Sequence, residues 1–346
     1  MFQERRRTRP ILLLFTAWCA FCPRLSGQSP QGSTPTKTLA PSVRRVIFDK
    51  AAFSGIGTPL PQWENGRLIS LDIETFQEGV ANVRLYDASG TKTMSASIWF
   101  PDAVRVLIYS ATVTPDGRIV AGGAAEKIDG TAAPFIVMTD LSGKLTDVIQ
   151  TEGFGPTNIC LAPDGTVWSF GGTGYDEQKR TEPKPGNTLR HFDFQKGEVA
   201  SYLPRSLFPN RPRPESMARI HCAADGVDVY SPRTNLFIRI DYAGKAPEIY
   251  HTKGEPTGLQ FDGFASTDRK YIYGHFLKLG TGGLYSLAFE EASKSATWVP
   301  VTNTVGSLST PGVISALWGA DGDKLLVSRA EDPAGMTALH WAPVGP

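Results

Sequence analysis

The 346-residue chain has little that would carry it across a membrane or onto a nucleic acid. Its nearest approach to a membrane span is Ile11 to Cys22, 12 residues long, where a spanning helix needs ~20 apolar residues. Neither sign of charge is in excess: 35 Lys and Arg stand against 34 Asp and Glu, a net charge of +1. A nucleic-acid or membrane-surface binder is not expected from that balance. Cysteine is scarce, at four residues. There is no Asn-x-Ser/Thr sequon, His-Glu-x-x-His pair, Gly-x-Ser-x-Gly elbow, Walker loop or haem-type Cys-x-x-Cys-His. The five histidines are scattered, with none at ligand spacing from another. These absences remove most familiar catalytic constellations.

What the N-terminus does contain is a leader pattern. "MFQERRRTRP" is basic, "ILLLFTAWCAFC" is apolar, and "PRLSGQSPQGSTPTKT" is polar with small residues. This is the layout of a secretory signal peptide, residues 1–27, with Leu25 and Gly27 at the −3 and −1 positions. Its removal takes Cys19 and Cys22 with it and leaves 30 basic against 33 acidic residues, net −3. Residues 28–41, rich in Ser, Thr and Pro, read as a disordered linker, and 42–346 as one domain. The expected location is secreted or periplasmic.

Glycine and proline are abundant, 35 and 26 residues, without a short period. They recur instead in turns. Asn65-Gly66, Asp116-Gly117, Asp164-Gly165, Asp225-Gly226, Asp268-Arg269 and Asp321-Gly322 each separate two short runs of alternating polarity. The spacings are 51, 48, 61, 43 and 53 residues. Asp-Gly and Asn-Gly suit tight turns because they accept positive φ cheaply. A second series lies out of phase: Asp87/Gly90, Asp140/Gly143, Asp193/Gly197 and Asp241/Gly244. Together the two series predict four strands per unit of about 50 residues, the period of a propeller blade. The final unit has room for three strands only, while Val43 to Phe53 is a strand without a unit. The expected fold is therefore all-β: a six-bladed β-propeller with four-stranded antiparallel blades, closed by Val46–Phe48 pairing with the C-terminal blade.

Counting back from each turn Asp gives a register for the innermost strands. Thr112, Cys160, His221, Phe264 and Leu317 fall at one position, and Val113, Leu161, Cys222, Ala265 and Trp318 at the next. Cys160 and Cys222 then stand on neighbouring strands at different registers. They read as two buried thiols in preference to a disulfide, although an exported chain permits one. His221 reads as a structural histidine.

"GPTNICLAPDGTVWSFGG" and "EPTGLQFDGFASTDRKYIYG" resemble blades of the NHL, regucalcin-type lactonase and strictosidine-synthase-like propellers. The lactonase resemblance implies a divalent metal on the axis, held by a first-blade glutamate, asparagines and an aspartate. Asn158 is similar in position to one such asparagine, but Gly57 and Thr58 stand where the glutamate is expected.

Long connections gather on one expected face, and loops on a rigid scaffold are where binding residues concentrate. Candidate ligand-binding residues are Asn158, Tyr175, Asp176, Arg211, Arg213, His275, Arg329 and Asp332. Arg211 and Arg213 have the chemistry of a carboxylate or phosphate clamp. The function expected is a non-enzymatic, monomeric binding module that takes a small molecule or a protein through this face, without cofactor. The alternative is a metal-dependent lactonase or esterase of the regucalcin type, with Asn158 as a ligand and calcium as the cofactor. The leader reading predicts Gln28 as the first residue of the exported protein; N-terminal sequencing that returns Met1 or Phe2 defeats it.

Overall fold

The computed structural model describes residues 37–48, 62–173, 186–208, 218–243, 245–267, 271–332 and 337–344. Strand β1 is Arg44–Phe48, followed by β2 (Gln62–Glu64), β3 (Arg67–Leu71), β4 (Glu74–Thr75), β5 (Val83–Tyr86) and β6 (Lys92–Ala96). Next come β7 (Ala103–Val113), β8 (Ile119–Lys127), β9 (Ala132–Thr139), β10 (Leu145–Gln150), β11 (Phe154–Leu161), β12 (Val167–Thr173), β13 (Asn187–Asp193) and β14 (Gly197–Pro204). The remainder are β15 (Arg219–Cys222), β16 (Gly226–Ser231), β17 (Leu236–Asp241), β18 (Glu248–Lys253), β19 (Gln260–Thr267), β20 (Tyr271–Lys278), β21 (Thr281–Glu290), β22 (Ser295–Pro300), β23 (Gly306–Ser307), β24 (Ile314–Asp321), β25 (Lys324–Arg329) and β26 (Thr337–Pro343). Among the described residues the helical content is a single 3-10 turn, Arg205–Leu207.

Pairing follows chain order. Antiparallel ladders join β2–β3–β5–β6, β7–β8–β9–β10, β11–β12–β13–β14, β15–β16–β17–β18 and β19–β20–β21–β22. The last series, β24–β25–β26, takes β1 as its outer strand: Val46 pairs with Leu339, Ile47 with Ala338 and Phe48 with Thr337. At the other end of this series Trp63 of β2 pairs in parallel with Gly319 of β24. The chain is all-β and propeller-like. Within the segment expected to be a linker, Thr38 bridges to Thr302 and Leu39 to Val344.

The turn aspartates explain why the hairpins form where they do. Asp164 Oδ1 accepts from the Thr166 amide at 3.0 Å and its hydroxyl at 2.6 Å, and the Gly165 amide donates to the Ala162 carbonyl at 2.9 Å. Gly165 sits at φ +84°, which any β-carbon would strain. In the second series Asp140 Oδ1 takes the Ser142 and Lys144 amides at 2.8 and 3.0 Å. At Gly143 (φ +85°) a β-carbon would also meet the Ser95 carbonyl at 2.5 Å. The Ser142 hydroxyl, donating to the same oxygen at 2.6 Å, does most to hold the Asp140 carboxylate below its ordinary pKa, and the amides add to it.

Each apolar core is shared by two successive ladders. Ile69, Leu85 and Ile98 pack with Val106, Val113 and Val137. Ile136 and Ile149 meet Phe154 and Phe192; Trp168 and Leu189 meet Val229 and Ile238; Tyr230 and Phe237 meet Phe276 and Trp298. Tyr273 and Leu284 then meet Leu317 and Leu325. The last core brings Phe48, Trp318, Leu339 and Trp341 against Trp63, Leu68 and Tyr86, with Trp63 and Trp341 edge-to-face at 5.4 Å. First and last ladders thus share a core as neighbours do.

One sequence expectation is overturned. Cys160 and Cys222 form a disulfide, their Cα atoms 5.5 Å apart. The turn Asp fails as a register mark because the hairpin loops differ in length. Leu161 pairs with Val167 across five residues, whereas Cys222 pairs with Val227 across four. The bridge closes a sequence separation of 62 residues. On the chain-entropy model, the Cys160→Ala/Cys222→Ala variant loses about 4 kcal/mol of stability. Chemical unfolding of both proteins under oxidising conditions measures it; equal midpoints contradict the structural role.

Candidate functional site

The first strand of each ladder faces a shared space. A cavity of about 880 Å³ is lined from β2, β7, β11, β15, β19 and β24. Its wall mixes apolar side chains with polar ones, His221 and Asn158 among them, and the ionisable groups at its two ends define its chemistry.

One end lies at the hairpin turns. Glu64 ends β2, directly before the Asn65-Gly66 turn, and lines the cavity. The Thr112 hydroxyl donates to Glu64 Oε2, and Asn65 Nδ2 donates to the Val113 carbonyl at 2.7 Å. Burial pushes the Glu64 carboxyl up to about 7, with the bonds from Thr112 and Val113 acting in the opposite direction. Glu64 is consequently a carboxyl whose charge changes near neutral pH.

The strand starts carry the second polar group. Arg219 opens β15 and Asp262 is the third residue of β19; both line the cavity. Arg219 Nη1 donates to the Ala218 carbonyl at 3.1 Å, and no carboxylate among the described residues is in ion-pair contact with it. Burial lowers the Arg219 pKa, while the charge of Asp262 raises it. Asp262 is anchored from behind, where its Oδ2 lies 3.0 Å from His275 Nδ1. The other ring nitrogen, Nε2, lies 3.0 Å from the Ile314 carbonyl. A carbonyl only accepts, so Nε2 is the nitrogen that donates to Ile314.

Asn158 is buried and lines the cavity, as befits a residue on an innermost strand. His275 is fully buried and does not line it: it lies on β20, one strand out, where it orients Asp262. Arg329 and Asp332 lie elsewhere too, at the junction of the chain's ends. Asp332 accepts from His340 Nε2 at 2.8 Å and the Arg329 amide at 2.8 Å, and pairs with Arg45 of β1 at 3.1 Å. That junction ties β1 to the last ladder. Tyr175, Asp176, Arg211 and Arg213 fall outside the described residues. Glu64, Arg219 and Asp262 are not among the residues that the sequence singles out, because they lie on innermost strands and not in long loops. The available signal was an ionisable residue within an otherwise apolar innermost strand, as in "LQFDGFAS".

No three His, Cys, Asp or Glu side chains among the described residues cluster as metal ligands. Asn158 shares its cavity with an arginine, which does not fit the oxygen-rich set that a hard divalent cation needs. No helix among the described residues is long and apolar enough to cross a membrane.

No protein-family model matches the chain, and no curated protein matches it. Solved structures with a similar fold include the GH74 xyloglucanase from Xanthomonas campestris, at 14% identity and TM-score 0.47, matched over 90% of this chain and 46% of that one. The PQQ-bound aldose sugar dehydrogenase from Streptomyces coelicolor matches at 13% identity and TM-score 0.43, over 88% and 100%. U3-55K matches at 9% identity and TM-score 0.46, over 89% and 99%. At these values the likenesses carry no inference about activity.

The raised pKa of Glu64 has a definite sign. The folded state holds a proton that the unfolded chain releases near 4.5, so this residue costs stability as pH rises from about 4.5 to about 7. Glu64→Gln keeps an acceptor for Thr112 without the charge. Its melting temperature is expected to match the parent at pH 4 and exceed it at pH 8; parallel curves at both pH values contradict a buried, titrating Glu64.

Proposed function

We propose that the chain is an exported six-bladed propeller, with four-stranded blades and a ring closed by its N-terminal strand, that binds a small polar molecule in its axial cavity. The observation that carries this reading is the cavity itself. Six innermost strands surround it, and its wall mixes polar and apolar groups in about equal measure, with Glu64, Asn158, Arg219, His221 and Asp262 among the polar ones. Small-molecule sites are concave surfaces in which placed polar groups fix a ligand's orientation. A size of about 880 Å³ falls in their range. The reading moves the binding site from the loops expected earlier to the axis. Export agrees with the leader pattern and with a disulfide, which persists in oxidising compartments.

A second reading, hydrolysis, has one observation in its favour. Glu64, with a pKa of about 7, has the poise of a general acid or base. Its bet is turnover of an ester or lactone that Glu64→Gln abolishes.

The binding reading is tested by thermal shift of residues 28–346 against four classes of polar compound: neutral sugars, carboxylates, amines and zwitterions. At a hundred times its dissociation constant a ligand stabilises the fold by roughly 2.7 kcal/mol. Ile73 lines the cavity near the strand starts, outside the long ladders. At least one class is expected to raise the melting temperature, and Ile73→Trp to cancel the rise. No shift with any class, or a shift that survives Ile73→Trp, overturns the axial site.

A further inference from the structure

We infer that the ligand of the axial cavity is a small carboxylate bearing a hydrogen-bond donor beside it, a hydroxy or amino acid, with Arg219 holding the carboxylate and Asp262 the donor. The inference rests on the axial-site reading above and deepens it.

Arg219 points to the carboxylate. A guanidinium has five N–H donors in a fixed fork. Here one of its nitrogens meets a main-chain carbonyl and no carboxylate among the described residues pairs with the group, although it lies within the protein's interior cavity. Arg219 is half-buried on that wall, and a charge partly withdrawn from water gains from a counterion. The fork geometry suits the two oxygens of a carboxylate.

Asp262 points to the donor. Its Oδ2 is committed to His275, and Oδ1 has no hydrogen bond among the described residues. His275 in turn is pinned at both nitrogens, to Asp262 and to the Ile314 carbonyl. The acid is therefore held on a fixed support, with one acceptor oxygen remaining for a ligand. Arg219 and Asp262 sense each other's charge without being in ion-pair contact. Each keeps its capacity for a third group, and that group must accept at one end and donate at the other. A simple anion leaves Asp262 unanswered, and a simple amine or sugar leaves Arg219 unanswered.

Four probes separate these elements. L-lactate carries both groups, propionate lacks the hydroxyl, and 1,2-propanediol lacks the carboxylate. L-alanine replaces the hydroxyl with an ammonium. Isothermal titration of residues 28–346 is expected to show lactate or alanine binding at least tenfold more tightly than propionate, with propanediol silent. Arg219→Gln is expected to weaken the bound acid at least tenfold, and Arg219→Lys to restore part of that loss. In Asp262→Asn, melted alongside to confirm its fold, the preference for lactate or alanine over propionate shrinks toward one. Equal binding of lactate, alanine and propionate by the parent overturns the donor role of Asp262. Undiminished binding by Arg219→Gln overturns the carboxylate anchor. If lactate and alanine both fail while a neutral sugar shifts the melt and Ile73→Trp blocks it, the ligand class is wrong and the axial site stands. If no compound of any class binds, both fall.

Discussion

Everything in this protein depends on the sharing of apolar cores between successive ladders. A four-stranded sheet has two faces, and here each ladder's apolar residues are packed against the ladder before or the ladder after. Such an arrangement has no natural end. Left open, it exposes one apolar face on the first ladder and one on the last. The core of Trp63, Leu68, Trp318 and Trp341 removes both, and β1 completes it with Phe48. The chain's ends are held there by backbone pairing from Arg44 to Phe48 and by Asp332, which joins Arg45 to His340. Burial of this kind is worth about 25 cal/mol per Å² of apolar surface, so closing the ring secures two sheet faces at once.

Cyclic packing also creates the cavity. Six innermost strands that face one another cannot fill the space between them with side chains of ordinary size. What remains is lined by apolar and polar groups in about equal measure, and the charged ones would be poor choices for a closed core. The disulfide joins two of the strands surrounding this space, β11 and β15, next to the wall that carries Asn158 and Arg219. A rigid wall allows the half-buried Arg219 guanidinium to keep its position without a carboxylate partner, and the His275 support does the same for Asp262. Groups held this way are preorganised, and preorganisation lowers the cost of binding.

Much of the fold was legible in the sequence because hairpin turns are local. Asp164-Gly165 and Asp140 through Gly143 carry their own hydrogen-bond acceptors and their own positive-φ glycines. Their recurrence therefore reports strand boundaries whatever the strands later pack against. The missing fourth strand of the last unit was also legible, since counting strands does not require geometry. The site was legible only in part. Asn158 lies where an innermost strand puts it. His275, Arg329 and Asp332 resemble binding residues by type, and the structure places them away from the cavity wall, among partners that the sequence does not reveal. Nothing local in "IYGHFLK" says that both ring nitrogens of His275 are occupied.

Residue order alone thus determined the all-β class, the repeating unit and the need for a closing strand, because alternation, turn chemistry and period act within a few residues of one another. Tertiary structure decided which side chains meet. A difference of one residue between two hairpin loops brought Cys160 to Cys222, against a count that had kept them apart. The same long-range geometry collected Glu64, Arg219 and Asp262, residues separated by most of the chain, around one cavity. Register across strands is set by how whole ladders pack, and burial, which shifts the Glu64 and Arg219 pKa values, exists only once the ring has formed.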